Sequence, residues 1–292
     1  MGDHHGNKIT NTKNLKIAFF LNLVFTIIEV IGGFLTNSVA ILSDALHDLG
    51  DSLSLGAAWY FENLSKKGRS KNFTYGYRRF SLLGALINAV VLIIGCIFIL
   101  REAIPRIINP EAVHVKGMII LAVLGVIING AAVLRLKNGT SLNEKVISLH
   151  LLEDVLGWIA VLIGAVLIYF YDIPIIDPIL SFLIAGFILF NVYKNLRSVV
   201  SIIMQSIPAN VETKNITDYL ASVEGIEDFH DLHIWTMDGE YHILTVHLVT
   251  TDDFNKHDSS FLKAKIRRDL HHLGIEHATI EFENSNEDCE LK

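Results

Sequence analysis

The sequence predicts an α-helical membrane protein of six transmembrane helices followed by a small α+β domain. Three observations carry that prediction. The 292-residue chain is 51% hydrophobic and only 19% charged, the profile of a polytopic membrane protein with a soluble part. Six stretches are apolar enough to cross a bilayer, which takes about 20 residues as a helix: 17–35, 39–64, 80–100, 117–134, 146–171 and 175–200. Beyond about Met204 the hydropathy falls, Pro208 marks the change, and a polar segment rich in histidine follows.

Residues 1–16 are polar and carry His4 and His5, which is unlike a cleaved signal peptide. They form the expected N-terminal segment, and 17–206 the membrane domain. Basic residues set the orientation. Lys8, Lys13 and Lys16 precede the first helix, and Lys66, Lys67, Arg69, Lys71, Arg78 and Arg79 follow the second. Arg135, Lys137 and Lys145 separate the fourth and fifth helices, and Lys194 and Arg197 end the sixth. The opposite loops hold only Arg101, Arg106 and Lys116. Positive residues stay inside, so both termini are expected in the cytoplasm of a multi-pass protein of the cell membrane. The formal charge of -7 argues against nucleic acid as a partner. Cys96 and Cys289 are the only cysteines and give no disulfide framework.

The segment 207–284 reads in the order αββαβ. A helix is expected over 211–223, then a hairpin of 228–236 and 241–250 turned at Met237-Asp238-Gly239. A second helix fits 256–273 and a last strand 278–283. That order suggests helices packed on one face of a sheet. Residues 285–292 are expected to be a disordered tail.

Two polar turns interrupt the apolar segments: His47-xxx-Asp51 in the second and His150-xxx-Asp154 in the fifth. Residues four apart lie on one helix face, so each pair presents an imidazole nitrogen beside a carboxylate oxygen. That donor set suits zinc and similar borderline cations. Ionisable groups in hydrocarbon mark ion or proton pathways by default. Both helices run in the same direction and the pairs lie at comparable depth, so together they would make a tetrahedral His₂Asp₂ site. A single histidine in a membrane helix is usually an interhelical hydrogen bond, but two matched pairs are harder to read that way. Asp44 shares the face of His47 and Asp51, whereas Asp48 and Glu153 are rotated off their faces. Asp44, Asp48 and Glu29 are expected to line the pathway, support the ligands or pack, rather than ligate.

The run Asn22-xx-Phe25-xxx-Glu29-xx-Gly32, continued by Ser38-x-Ala40-xx-Ser43-Asp44-Ala45-x-His47-xxx-Asp51, resembles the signature of the cation diffusion facilitator family. His150-xxx-Asp154 and Asp177-Pro178 fit the same family, and the resemblance spans nearly the whole chain. It implies a homodimeric exporter that exchanges cytoplasmic Zn²⁺ for protons by alternating access. It maps the transport site onto His47, Asp51, His150 and Asp154; Asp177 is a candidate to support the ligands or to line the pathway. Histidine at the first position looks like the zinc-preferring branch. The resemblance also implies a ferredoxin-like or metallochaperone-like domain with regulatory zinc at His230, His247, His277 and Glu283. Glu281 and His257 are further candidates there, while His233, His242, His271 and His272 read as surface histidines. The 66–79 loop lacks the Asp and His of a metal site found in some bacterial relatives, and 75–79 looks like a structural junction. The short, His-free 135–145 loop favours the prokaryotic branch.

Metal binding needs neutral imidazole and ionised carboxylate, so it competes with protons. Histidine ordinarily titrates near pH 6.5, which suits such an exchange. Two rivals belong to other classes. An intramembrane metal-dependent enzyme would want HExxH as a protease, which is absent. As a phosphotransferase it would want a carboxylate-rich Mg²⁺ site with basic groups for phosphate, and no Lys or Arg lies in the second helix's core or beside His150. A membrane-anchored metal sensor would use the C-terminal domain as its output. The residues alone leave Zn²⁺, Cd²⁺, Co²⁺ and Ni²⁺ open.

Overall fold

A computed structural model describes residues 5–65, 68–136, 142–251 and 259–284, excluding the side chains of 5–18, 62–63, 65, 132, 135–136 and 142–150. His4, His257 and Cys289 lie outside the described residues. Six long helices come first: α1 (His5–Thr36), α2 (Val39–Ser65), α3 (Phe80–Ile108), α4 (Val115–Leu136), α5 (Leu142–Tyr171) and α6 (Ile176–Ile203). They match the six apolar segments. α1 starts well ahead of its apolar run, at His5, because the polar residues 5–16 contain no proline or glycine pair to stop a helix. Among the described residues, α1, α3, α5 and α6 are long and apolar enough to cross a membrane, and α4 holds a shorter apolar stretch, Val115–Ala131. α2 is diluted by Asp44, Asp48 and Asp51, the residues that make it interesting.

Apolar side chains pack in two clusters between the helices. One gathers Ile41 of α2, Met118 of α4, and Trp158 and Val161 of α5. It depends on Gly125, where a methyl group would lie 2.2 Å from the Trp158 ring. The other joins α3 to α6 through Leu92, Cys96 and Ile188. Many large apolar residues elsewhere on these helices are exposed, Phe34, Phe98 and Phe170 among them, as expected of surfaces that meet lipid.

The ends of α1 and α2 are tied by polar contacts. Asp177, at the start of α6 and fully buried, accepts from the Ser38 hydroxyl (2.5 Å) and the backbone N–H groups of Val39 (2.8 Å) and Ala40 (3.3 Å). A carboxylate from one helix thus caps the N-terminus of another, satisfying donors that have no partner within α2. Arg106 of α3 reaches the Asn37 carbonyl (2.9 Å) and pairs with Glu102 (2.7 Å) and Glu111 (3.1 Å).

The second unit combines residues 69–82 with 197–292. Its elements are α7 (Thr213–Ala221), β1 (Ile226–Thr236), β2 (His242–Thr250), α8 (Ser259–His272) and β3 (His277–Asn284). The sheet order is β1-β2-β3, antiparallel then parallel, so α8 is the crossover of a parallel pair. Alternation along β2 buries Leu244, Val246 and Leu248 among Ile216 and Leu220 of α7 and Ile266 and Leu270 of α8. Tyr219 of α7 donates to the Asp269 carboxylate of α8 (2.7 Å). Burial, reinforced by that hydrogen bond and the Asp269 charge, pushes its phenol well above the usual tyrosine range. The 75–79 junction docks on the hairpin turn: Arg78 lies 3.4 Å from the Asp238 carboxylate and 4.2 Å above the Tyr241 ring.

Candidate metal centres

The first centre is built on the α2 face that carries His47 and Asp51, one turn apart. The His47 Nε2 lies 3.8 Å from Asp51 Oδ2 and 3.7 Å from Asp154 Oδ1 on α5. These three residues each offer a donor atom within 4.8 Å of the others. Two donors bound to one tetrahedral zinc at 2.0–2.1 Å stand about 3.4 Å apart. The observed separations are a few tenths of an ångström wider, and longer than a hydrogen bond. His150, the remaining expected ligand, lies in the first turns of α5, one turn before Asp154 in the sequence, and its side chain is outside the described residues.

Exposure is graded along α2. The Asp51 side chain is 25% exposed and that of His47 17%, while Asp44 and Ser43, nearer the start of the helix, are buried. Of the two α2 donors, Asp51, nearer the C-terminal end of the helix, is thus the more accessible. On the other side Ser43 meets Ser181 of α6 at 2.7 Å. Gly157 of α5, three residues past Asp154, faces Asp44: a methyl group there would stand at ordinary contact distance, 3.5 Å, from its carboxylate.

The other expected acidic residues are placed apart from the three converging donors. Asp48 is buried with its backbone carbonyl held by the Asn22 amide at 2.9 Å. Glu29 of α1 is buried, its carboxyl group facing that of Asp48 with no N–H or hydroxyl donor on either oxygen. Asp177 caps α2 at Val39, eight residues and about 12 Å of helix from His47. Its contacts give it a structural task.

The second centre takes one residue from each strand. His230 of β1 pairs in register with His247 of β2, and the β2–β3 register sets Glu283 beside them. Glu283 lies 3.1 Å from His230 Nε2 and 2.6 Å from His247 Nδ1, with its side chain 8% exposed. Donors from these three residues also fall within 4.8 Å of one another. His277 does not join them. It sits at the far end of β3 opposite Ile243, six residues and about 20 Å from Glu283, with its ring against Tyr75. The strand runs the length of the sheet, so its two ends cannot share one ion.

Asp231 was not legible as part of this centre. It occupies a bulge in β1, with a left-handed φ of 49°, and brings a carboxylate 3.7 Å from His247 Nε2 and 2.7 Å from His233. Aspartate tolerates that conformation, but a bulge leaves no periodic trace in the sequence. Glu281, on the same face of β3, lies 3.6 Å from His247 Nε2.

Family comparison settles what kind of protein holds these centres. Residues 15–204 match the cation efflux transmembrane domain, and 208–285 match the cation efflux protein cytoplasmic domain. The chain belongs to the cation efflux family. That is the family of the cation diffusion facilitators, and its members are transporters, not enzymes. The chain is 37% identical over 287 residues to a cadmium, cobalt and zinc/H(+)-K(+) antiporter of Bacillus subtilis (strain 168), covering 97% of this chain and 92% of the relative. It is 34% identical to the metal cation efflux system protein CzcD of Cupriavidus metallidurans, covering 97% and 90%. It is 31% identical to the zinc transporter ZitB of Escherichia coli (strain K12), covering 96% and 91%. The cation efflux protein described here is thus a multi-pass membrane transporter with a helical membrane domain and a C-terminal cytoplasmic domain.

Proposed function

We propose that this protein exports Zn²⁺ from the cytoplasm in exchange for protons, through a His₂Asp₂ site made by His47, Asp51, His150 and Asp154. The observation that carries the reading is the convergence of His47, Asp51 and Asp154 within one ion's reach, between two helices of a membrane domain. Mixed nitrogen and oxygen donors favour zinc over the hard cations that oxygen-only sites take. His150 supplies the fourth donor, completing the pair that Asp154 begins. Cd²⁺ and Co²⁺, which the Bacillus relative's name includes, suit the same donors.

The cycle follows from the donors and their exposure. Zn²⁺ enters from the exposed Asp51 end, displaces protons and is held by the two helices together. The helices then rock about the site, as transporters with a midplane site do, and protons entering from the far side release the metal. The protein works as a homodimer in the cell membrane with both termini in the cytoplasm. The domain cluster of His230, His247 and Glu283 holds regulatory zinc that biases the dimer toward transport. That cluster also supports a sensing role for the domain, but within a transporter.

Zinc uptake into vesicles carrying a pH gradient tests the reading. His47→Ala and Asp154→Ala are each expected to abolish gradient-driven uptake. Wild-type rates in either variant would remove the site assignment.

A further inference from the structure

One buried carboxylate near the metal donors has no place in the exchange as derived so far. Glu29 is 1% exposed; its oxygens meet no N–H or hydroxyl donor, and its carboxyl group faces that of Asp48 within hydrogen-bond reach. It belongs to a polar stripe on α1, since positions 22, 26 and 29 fall on one helix face. The rest of the stripe is satisfied. Thr26 donates to the Asn22 carbonyl (2.9 Å), and Asn22 donates to the Asp48 carbonyl (2.9 Å) and the Ser52 hydroxyl (3.0 Å).

The charged groups acting on Glu29 are Asp48 and Asp44 of α2 and Asp154 of α5, all acidic. From α4, the other helix packed on α1, the neighbour is apolar: Leu121 lies against Gly32. Among the described side chains of α1, α2, α4 and α5, the only lysine or arginine is Lys116, in the first turn of α4. Two facing buried carboxyl groups with no other donor and only acidic neighbours are electrostatically incomplete, and a cation at Glu29 completes them. Glu29, Asp44 and Asp48 are not among the groups of three donors that converge on one point among the described residues. Divalent ions of the oxygen-loving kind take about six or more oxygen ligands, so two facing carboxyl groups without a third converging donor suit a monovalent ion instead.

We propose that Glu29 binds the monovalent counter-ion of the exchange, a proton or an alkali ion, at a position separate from the metal donors. The proposal rests on the exchange reading above and adds where the driving ion sits. Metal entering the His47 cluster brings positive charge next to Asp44, Asp48 and Asp154, the same acidic groups that act on Glu29. The counter-ion on Glu29 is thereby expelled, and it returns when the metal leaves. Coupling is electrostatic and needs no shared ligand.

The test uses the full-length protein in lipid vesicles and the ratio of zinc flux with a driving gradient to flux without one. Wild type is measured with a pH gradient and, separately, with a potassium gradient. Whichever gradient accelerates wild type names the counter-ion. In Glu29→Gln that acceleration is expected to vanish, bringing the ratio to one. A Gln variant accelerated as strongly as wild type overturns the proposal. A wild type that responds to neither gradient overturns the exchange reading and this proposal together, which separates the two failures. Should Glu29→Gln bind no zinc, Glu29→Asp decides. It keeps a carboxylate in a displaced position, so the counter-ion concentration giving half-maximal drive should shift several-fold, and an unshifted value overturns the proposal.

Discussion

The two metal centres use similar donor types and assemble them in opposite ways. The membrane centre draws His47 and Asp51 from one turn of α2, and Asp154 from α5. The domain centre draws His230, His247 and Glu283 from three different strands. A helix sets two donors by its own pitch, so half of the first site is fixed before any tertiary contact forms. A sheet sets donors by strand register, so the second site exists only when all three strands are paired. The membrane centre can therefore move as two rigid halves, one per helix. The domain cluster joins three strands, which is what the proposed regulatory metal would bridge.

If that contrast is real, removing a donor has different consequences in the two places. The largest effect is expected at Asp51→Ala. Loss of one donor from the proposed four-ligand site should lower zinc affinity on the order of 100-fold, and vesicle flux should fall with it. Flux that survived would break the link between the helical pair and transport. Glu283→Gln comes next. It stands between the two histidines of the domain, so metal titration of the domain centre should weaken about tenfold, while zinc flux under saturating metal should change less than with Asp51→Ala. A larger flux loss at Glu283 would reverse the ranking of the two centres.

The frameworks around the centres can be compared in the same way. Asp177→Asn keeps the shape of the α2 cap but removes its charge from three buried donors. A loss of roughly 1–3 kcal/mol is expected, read as a lower unfolding temperature of the detergent-solubilised protein, and no change would deny the cap its role. Tyr219→Phe removes a single hydrogen bond between α7 and α8 and should cost about 1 kcal/mol. The raised phenol also sets a pH dependence. The folded state holds that proton more tightly than the unfolded chain, so its stabilisation is complete below about pH 10, the ordinary tyrosine value. It is lost progressively as pH rises beyond that. Denaturant midpoints should fall across that alkaline range in wild type and fall less steeply in Tyr219→Phe.

Much of the membrane centre was legible because its signal is local. His47-xxx-Asp51 and His150-xxx-Asp154 announce their geometry by spacing alone. The six helices were legible for the same reason, since apolar runs are continuous. The domain centre was legible only in part. His230, His247 and Glu283 could be named, but His277 was grouped with Glu283 although they sit at opposite ends of β3. Sequence proximity misleads along a strand, where each residue adds about 3.3 Å. Asp231 went unseen because a β-bulge breaks the alternation on which strand reading depends. The sequence offers Asp177 as a ligand-supporting or pathway candidate, and its capping of α2 is a contact across 138 positions that no local pattern encodes.

The most direct measurement is zinc stoichiometry in full-length protein whose domain centre has been removed by His230→Ala and Glu283→Gln. One tightly bound zinc per chain should remain, held by the membrane helices, and adding His47→Ala should eliminate it. Zinc that persisted through the triple substitution would contradict the assignment of the α2–α5 cluster as the transport site.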